Sequence, residues 1–402
     1  MSEEFYRIKR LPPYVIAEVN AMRAAARQAG EDIIDLGMGN PDLPPPPHVI
    51  EKLAEVARDP KAHGYSASKG IPGLRRAQAA YYGRRFGVDL CPESEVVVTL
   101  GSKEGLANLA QAITAPGDVV LAPNPSYPIH TFGFIIAGAT IRSVPSTPDE
   151  HYFESLERAV RFTVPKPSVL IVNYPSNPTA EVVDLAFYER LVAFAREHKI
   201  WVLSDLAYSE LYFDGKPTPS ILQVPGAKDV AVEFTSMSKT YSMAGWRIGF
   251  AVGNKTLIGA LTRVKSYLDY GAFTPIQAAA VAALNGPQDI VEQNRELYRK
   301  RRDVLVESFG KAGWDIPSPS ASMFAWAPLP PALAHLGSLE FSKQLLSNAG
   351  VAVAAGVGYG EEGEGYVRIA MVENEQRLRQ AARNVKRYLQ SMGVNTPGQA
   401  AG

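Results

Sequence analysis

The sequence predicts an α/β fold: a three-layer α/β/α large domain on a mixed, mostly parallel sheet, joined to a smaller α+β domain. Three observations carry this expectation. The middle of the chain alternates short apolar runs with amphipathic segments, the pattern of a parallel sheet covered by helices on both faces. After Gly286 the texture changes to a long charged helix, shorter strands and a closing helix. The length, 402 residues, exceeds what one hydrophobic core spans, so roughly two to three packed units are expected.

In chain order, a helical pattern near 15–29 comes first and is assigned to the smaller domain. The prolines of 41–47 form an extended linker, because the residue before each proline is pushed out of the helical region. The run 96–100 reads as a strand feeding a helix at 101–113, and further strands are placed at 119–122, 169–174, 201–204, 230–235 and 248–252. Between two of them, Phe187, Leu191, Phe194 and Ala195 recur at i, i+4, i+7 and i+8, one face of a helix over 185–198. A charged helix at 289–312 and a closing helix at 375–392 frame the second unit. The boundaries that follow are 41–285 for the large domain, and 1–40 with 286–402 for the small one. Only 395–402 reads as disordered.

Composition excludes several classes of function. Lys+Arg and Asp+Glu both number 41, so no net field draws nucleic acid or an anionic membrane. The single cysteine, Cys91, has no intramolecular partner and fits a reducing compartment. The charged start of the chain lacks the apolar core of a signal peptide, and apolar stretches such as 132–139 fall far short of a membrane span. A soluble, cytoplasmic protein without a metal site is expected.

The most informative segment is 236–250. It sets Lys239 between Ser236, Ser238 and Thr240, with Arg247 eight residues on and an apolar strand behind. A lysine amine can condense with a carbonyl, and the carbonyl most often held this way is the aldehyde of pyridoxal 5'-phosphate. Its phosphate needs hydroxyl donors and a fixed cation, which Ser236, Ser238 and Arg247 can supply. Gly101-Ser102-Lys103 sits where a strand becomes a helix, a place for an anion or simply a turn. Asp205 ends a buried-looking run, where open α/β sheets place ligands, and either pairs with a pyridine nitrogen or caps a helix. Tyr208 and Asn177 can hydrogen-bond the cofactor's phenolate oxygen, although Asn177-Pro178 is also a turn signal. Tyr127, among prolines, offers a ring for stacking. Arg368 is a lone cation in a strand-like run, suited to a substrate carboxylate or to a neighbouring acid. The 356–365 segment, with five glycines, reads as a mobile loop able to close over a ligand. Gly39 can present a backbone N–H to the same carboxylate.

Taken together, Gly39-Asn40-Pro41, Gly64-Tyr65, Gly101-Ser102-Lys103, Ser126-Tyr127-Pro128, Asn177-Pro178, Asp205-Leu206-Ala207-Tyr208, Ser236-Met237-Ser238-Lys239, Arg247 and Arg368 resemble, in order and over nearly the whole chain, the class I/II aminotransferases of the fold type I pyridoxal-phosphate superfamily. The resemblance implies that Lys239 holds the cofactor covalently and shuttles a proton, while Asp205 pairs with the pyridinium nitrogen. It implies that Asn177 and Tyr208 bond the phenolate oxygen. Ser102, Lys103 (chiefly through its backbone N–H), Ser236, Ser238 and Arg247 would hold the phosphate, and Tyr127 would stack on the ring. Tyr65 would reach the phosphate of a partner subunit, making a homodimer the active unit. Arg368 and the Gly39 N–H would take the substrate α-carboxylate.

The runs 11–14 and 264–271 look most like the bacterial glutamate–pyruvate (alanine) aminotransferases, with the LL-diaminopimelate aminotransferases close by. Tyr14 would then line the substrate pocket. The implied reaction moves an amino group between alanine and 2-oxoglutarate in a ping-pong cycle. Alternatives are a broad-range or LL-diaminopimelate aminotransferase, a carbon–sulfur β-lyase on the same fold, and a non-enzymatic effector-sensing domain. The segment 265–271 lacks the arginine with which aspartate aminotransferases grip a distal carboxylate. A water, Tyr270 or an unplaced residue would have to serve.

Overall fold

The computed structural model describes residues 5–12 and 15–394. Its strands, in chain order, are β1 (Ile34–Asp35), β2 (Val96–Thr99), β3 (Val119–Asn124), β4 (Thr140–Pro145), β5 (Val169–Asn173), β6 (Trp201–Asp205), β7 (Ala231–Ser236), β8 (Gly249–Gly253), β9 (Phe324–Pro328), β10 (Val351–Ala352), β11 (Ala354–Ala355) and β12 (Tyr366–Ala370). Strands β2 and β5 are almost wholly apolar because both of their faces are covered. Val96, Val98, Leu170 and Val172 pack into one core. Their neighbours Val97, Val169 and Ile171 pack into another on the opposite face. This alternation is the period of two that a strand imposes on its side chains.

These strands form a seven-stranded sheet in the order β2-β8-β7-β6-β5-β3-β4. Pairings are parallel except for β8, which runs antiparallel to both β2 and β7. One consequence positions everything that follows. The C-terminal ends of β2, β3, β5, β6 and β7 share one edge, and the reversed β8 starts at that edge. Gly249, its first residue, lies between Thr99 and Ser236.

The second unit holds an antiparallel sheet, β11-β12-β9, and the short parallel pair β1-β10. Its core draws Tyr298, Leu305 and Phe309 from helix Asp289–Lys311, and Leu378, Val385 and Leu389 from helix Glu375–Ser391. Tyr208, Leu211 and Phe213, just past β6, pack into this same core. The N-terminal helix Val15–Gln28 joins it through Val19, which meets Ile33, Leu346 and Ala352. Among the described residues no helix is long and apolar enough to cross a membrane.

Three expectations change. Strand β4 escaped the sequence because it is an edge strand whose Thr140, Arg142 and Ser143 are not buried, leaving no apolar pattern to read. The extended segment stops at Pro46: Pro47 is the first residue of helix Pro47–Ala57, where a missing N–H costs nothing. The glycine-rich 356–365 segment is packed, not open, and forms the turns Gly356–Tyr359 and Glu361–Gly363. A Cβ on Gly356 would lie 2.0 Å from the Gly363 carbonyl oxygen, so these glycines serve close backbone approach. The segment is tied down by Ser126 N–H donating to the Tyr359 carbonyl at 2.8 Å and by Glu364 accepting from Ser338.

Candidate active site

A cavity of about 270 Å³ opens at the shared strand edge, under the second unit. Gly39, Ser102, Lys103, Tyr127, Asn177, Asp205, Tyr208, Ser236, Ser238, Lys239, Arg247 and Arg368 all line it. Tyr65 does not: it is 88 % exposed, its ring 4.5 Å from that of Tyr270. Tyr14 lies outside the described residues.

Lys239 sits on the one-turn helix Met237–Thr240 at the end of β7, which Ser236 caps by accepting from the Ser238 N–H at 3.1 Å. Its Nζ donates to the Gly39 carbonyl at 2.5 Å. Burial, aided by the positive charges of Arg368 and Arg247, lowers its pKa from a lysine's ordinary 10.5 to about 8. About a tenth of the amine is therefore neutral, and nucleophilic, at pH 7, far more than for an ordinary lysine.

Asp205 closes β6 with its carboxylate fixed twice. Oδ2 is 2.9 Å from His130 Nε2, both side chains being buried, and Oδ1 accepts from the Ala207 N–H at 3.2 Å. Asn173 ties the backbone below it, donating to the Asp205 carbonyl at 2.7 Å. Tyr127 stands at the start of helix Pro128–Ala137, its ring edge-on to His130 at 5.9 Å. Burial, reinforced by Asp205, pushes its phenol pKa up. Burial pushes Tyr208 strongly upward as well, so both hydroxyls stay protonated donors.

At the end of β2, helix Ser102–Ile113 points its free N–H groups toward the cavity, opposite the guanidinium of Arg247. Gly101, at φ 85° and ψ 160°, makes this approach possible, since a Cβ there would lie 2.2 Å from Arg247 Nη2. Arg247 itself takes a left-handed φ of 54°, held by bonds to the carbonyls of Ala244 (2.8 Å) and Leu100 (3.3 Å). Neither Arg247 nor Lys103, whose Nζ lies 5.6 Å from the Tyr127 ring centre, meets a carboxylate among the described residues. That leaves two cations at a helix start without an anion.

Arg368 is the buried counterpart on β12. Nη1 donates to Asn177 Oδ1 at 2.9 Å and Nη2 to the Gly37 carbonyl at 2.8 Å, while the guanidinium lies 3.9 Å from the Phe324 ring centre. Its Nε is buried without a partner. A buried cation held only by neutral acceptors, with one donor spare, suits a carboxylate ligand. Asn177 thus spends its oxygen on Arg368 and keeps its Nδ2 hydrogens for a ligand.

The sequence reading missed His130, Asn173, Phe324, Tyr359 and Asn20, all placed at or against this cavity. For His130 a signal existed: it lies one helical turn beyond Tyr127. Asn173 lies just before Asn177 in the chain and Tyr359 within the glycine-rich segment, while Phe324 and Asn20 are brought in from distant segments.

The residues fit pyridoxal phosphate. The paired cations and free N–H groups suit a phosphate, the partly neutral Lys239 an aldehyde, and the braced Asp205 a pyridine nitrogen.

The family model of aminotransferase class I and II matches residues 31–385. The chain is 67% identical to AatC of Rhizobium meliloti over 97% of its own length and 96% of that protein's. It is 54% identical to the glutamate-pyruvate aminotransferase AlaC of Escherichia coli, over 97% and 95% of the two chains. It is 43% identical to an LL-diaminopimelate aminotransferase of Moorella thermoacetica, over 96% and 98%. Among solved structures, substrate-bound BacF of Bacillus subtilis superposes with a TM-score of 0.92 at 36% identity, covering 100% of both chains. With a family model spanning most of its length and a pocket built for the cofactor, the chain belongs to the class I and II aminotransferases and is a pyridoxal-phosphate-dependent enzyme.

Proposed function

We propose that this aminotransferase exchanges the α-amino group between alanine and 2-oxoglutarate, giving pyruvate and glutamate, as a cytoplasmic homodimer. The similarity to the Escherichia coli glutamate-pyruvate aminotransferase, 54% against 43% for the Moorella thermoacetica protein, carries the substrate assignment. A second observation favours it over LL-diaminopimelate. Among the described cavity residues the only acid is Asp205, already bonded to His130, which leaves no free carboxylate among them to pair with a distal ammonium.

In this reading residues 41–285 form the cofactor-binding domain, and 1–40 with 286–402 the domain that closes on it. Ser102, Lys103, Ser236, Ser238 and Arg247 hold the phosphate, Tyr127 stacks on the ring, and Asn177 and Tyr208 donate to its phenolate oxygen. When bound, pyridoxal phosphate supplies an electron-withdrawing ring that acidifies the substrate Cα–H. Asp205, oriented by His130, pairs with the ring nitrogen. Arg368 and the Gly39 N–H grip the α-carboxylate, so the Cα–H is presented to Lys239. Lys239 Nζ then takes the Cα proton and later returns one, a role that its lowered pKa suits. Tyr65, exposed on one subunit, reaches the phosphate of its partner.

A panel of amino donors against pyruvate and 2-oxoglutarate tests the assignment. Alanine with 2-oxoglutarate should have the highest kcat/KM. Preference for LL-diaminopimelate, or pyruvate and ammonia released without an oxo-acid acceptor, would overturn it.

A further inference from the structure

The charge pattern of the cavity points to how a substrate's distal end is read. Its cations are Lys103, Lys239, Arg247 and Arg368, its one acid Asp205. Lys239 and Asp205 serve the reacting centre, Lys103 and Arg247 flank the helix start, and Arg368 is the α-carboxylate fork. No cation is left among the described residues for a second carboxylate. Among the polar side chains of the cavity without such a duty is Asn20, on the face of helix Val15–Gln28 that reaches the cavity. It is half-buried, and its carboxamide makes no hydrogen bond to another described residue. Beside it in the wall lie Met38, from the loop after β1, and Tyr359, from the packed turn Gly356–Tyr359.

We infer that Asn20 is the specificity-determining residue for the substrate's distal group: its Nδ2 donates to the γ-carboxylate of a five-carbon dicarboxylate. This rests on the alanine–2-oxoglutarate reading above and deepens it. A carboxamide donates two hydrogens and carries no charge, so it can accept a distal carboxylate without requiring one. A second arginine in its place would be left as an uncompensated cation whenever alanine is bound, a buried charge without a partner. With Asn20 and Met38 in the wall, the same pocket takes a methyl side chain and a propionate side chain in alternate half-reactions. That is the demand an alanine–glutamate exchange makes, and it accounts for the lack of an arginine in 265–271.

The test is equilibrium binding of unreactive acids to the holoenzyme, read from the cofactor's visible absorbance, with glutarate as the dicarboxylate and propionate as the monocarboxylate. Asn20→Leu should lower the preference for glutarate over propionate by about 10- to 100-fold, the loss expected when a hydrogen-bonding group facing a charged oxygen is removed. Asn20→Asp, which keeps the size, should lower that preference at least as far by repulsion. An unchanged preference in both variants, or an equal loss for the two acids, would overturn the inference while leaving the alanine–2-oxoglutarate reading intact. If the wild-type holoenzyme fails to bind glutarate and fails to turn over 2-oxoglutarate, both readings fall together.

Discussion

At the scale of single residues, the pocket works by changing what ordinary side chains do. Lys239 is the clearest case, because burial and two neighbouring arginines bring its pKa to about 8. The sign follows directly: the charged form dominates below about 8 and the nucleophilic amine above it. The rate at which pyridoxal phosphate attaches to the cofactor-free protein should therefore rise with pH through a midpoint near 8, followed by absorbance. A midpoint near 10.5 would show that the pocket does not act on this amine. Asp205 depends on His130 in a different way, by orientation. His130→Phe keeps a ring but removes the 2.9 Å bond, and should lower kcat roughly 10- to 100-fold with cofactor saturating. Asp205→Ala should lower it by further orders of magnitude, on the scale of several kcal/mol. Arg368→Lys keeps the charge and loses the fork, so it should impair every amino and oxo acid alike. Loss of glutamate with retention of alanine would reassign it to the distal carboxylate.

At the scale of elements, the site is a property of strand ends. Reversal of β8 places Arg247, just before it, at the same edge as the ends of β2 and β7. Gly101 shows how little tolerance this leaves. Gly101→Ala would put a methyl group against Arg247 in a backbone region only glycine favours, a cost of about 1–3 kcal/mol. It should weaken cofactor binding more than it lowers the unfolding midpoint, as seen by fluorescence titration alongside denaturation. Strand β7 carries a second constraint on its buried face. Glu233 accepts from Tyr82, Ser204, Ser220 and the Ile221 N–H, yet burial still raises its pKa from 4.5 to about 7. The folded state then holds this proton between pH 4.5 and 7 where the unfolded chain has lost it, so Glu233 costs stability as pH rises through that window. Unfolding of Glu233→Gln against wild type should shift in favour of the variant between pH 5 and 7. A difference independent of pH would contradict this. The legible part of the site follows the same logic. Ser236, Lys239, Arg247 and Asp205 lie at strand ends within short motifs, where sequence order and spatial order coincide. His130 meets Asp205 across 75 residues, and Arg368 meets Asn177 across 191. No local pattern announces such pairings, and Asn20 and Phe324 read in the sequence as ordinary helix and strand residues. Edge strand β4 was hidden for a simpler reason, since only Val144 of its six residues is buried and one buried residue makes no apolar period.

At the scale of the whole molecule, the cavity lies at the edge of the large sheet, between it and the second unit. The first unit supplies Ser102, Asp205, Lys239 and Arg247 to its lining, and the second supplies Arg368, Phe324 and the N-terminal helix that carries Asn20. On the proposed roles, the reacting centre belongs to the first unit and the distal pocket to the second, which would let one cofactor site serve substrates of different side chain. Tyr65 and Tyr270 form an exposed aromatic pair outside the chain's own cavity. A homodimer would cover it, and sedimentation at micromolar concentration should give twice the mass of one chain. The account as a whole depends on one bond, between this chain and its cofactor. Reduction of the holoenzyme with borohydride, followed by peptide mass mapping, should place the cofactor on Lys239 alone, and Lys239→Ala should neither be labelled nor turn over. Attachment at another lysine, or wild-type turnover by the Lys239→Ala variant, would contradict the account.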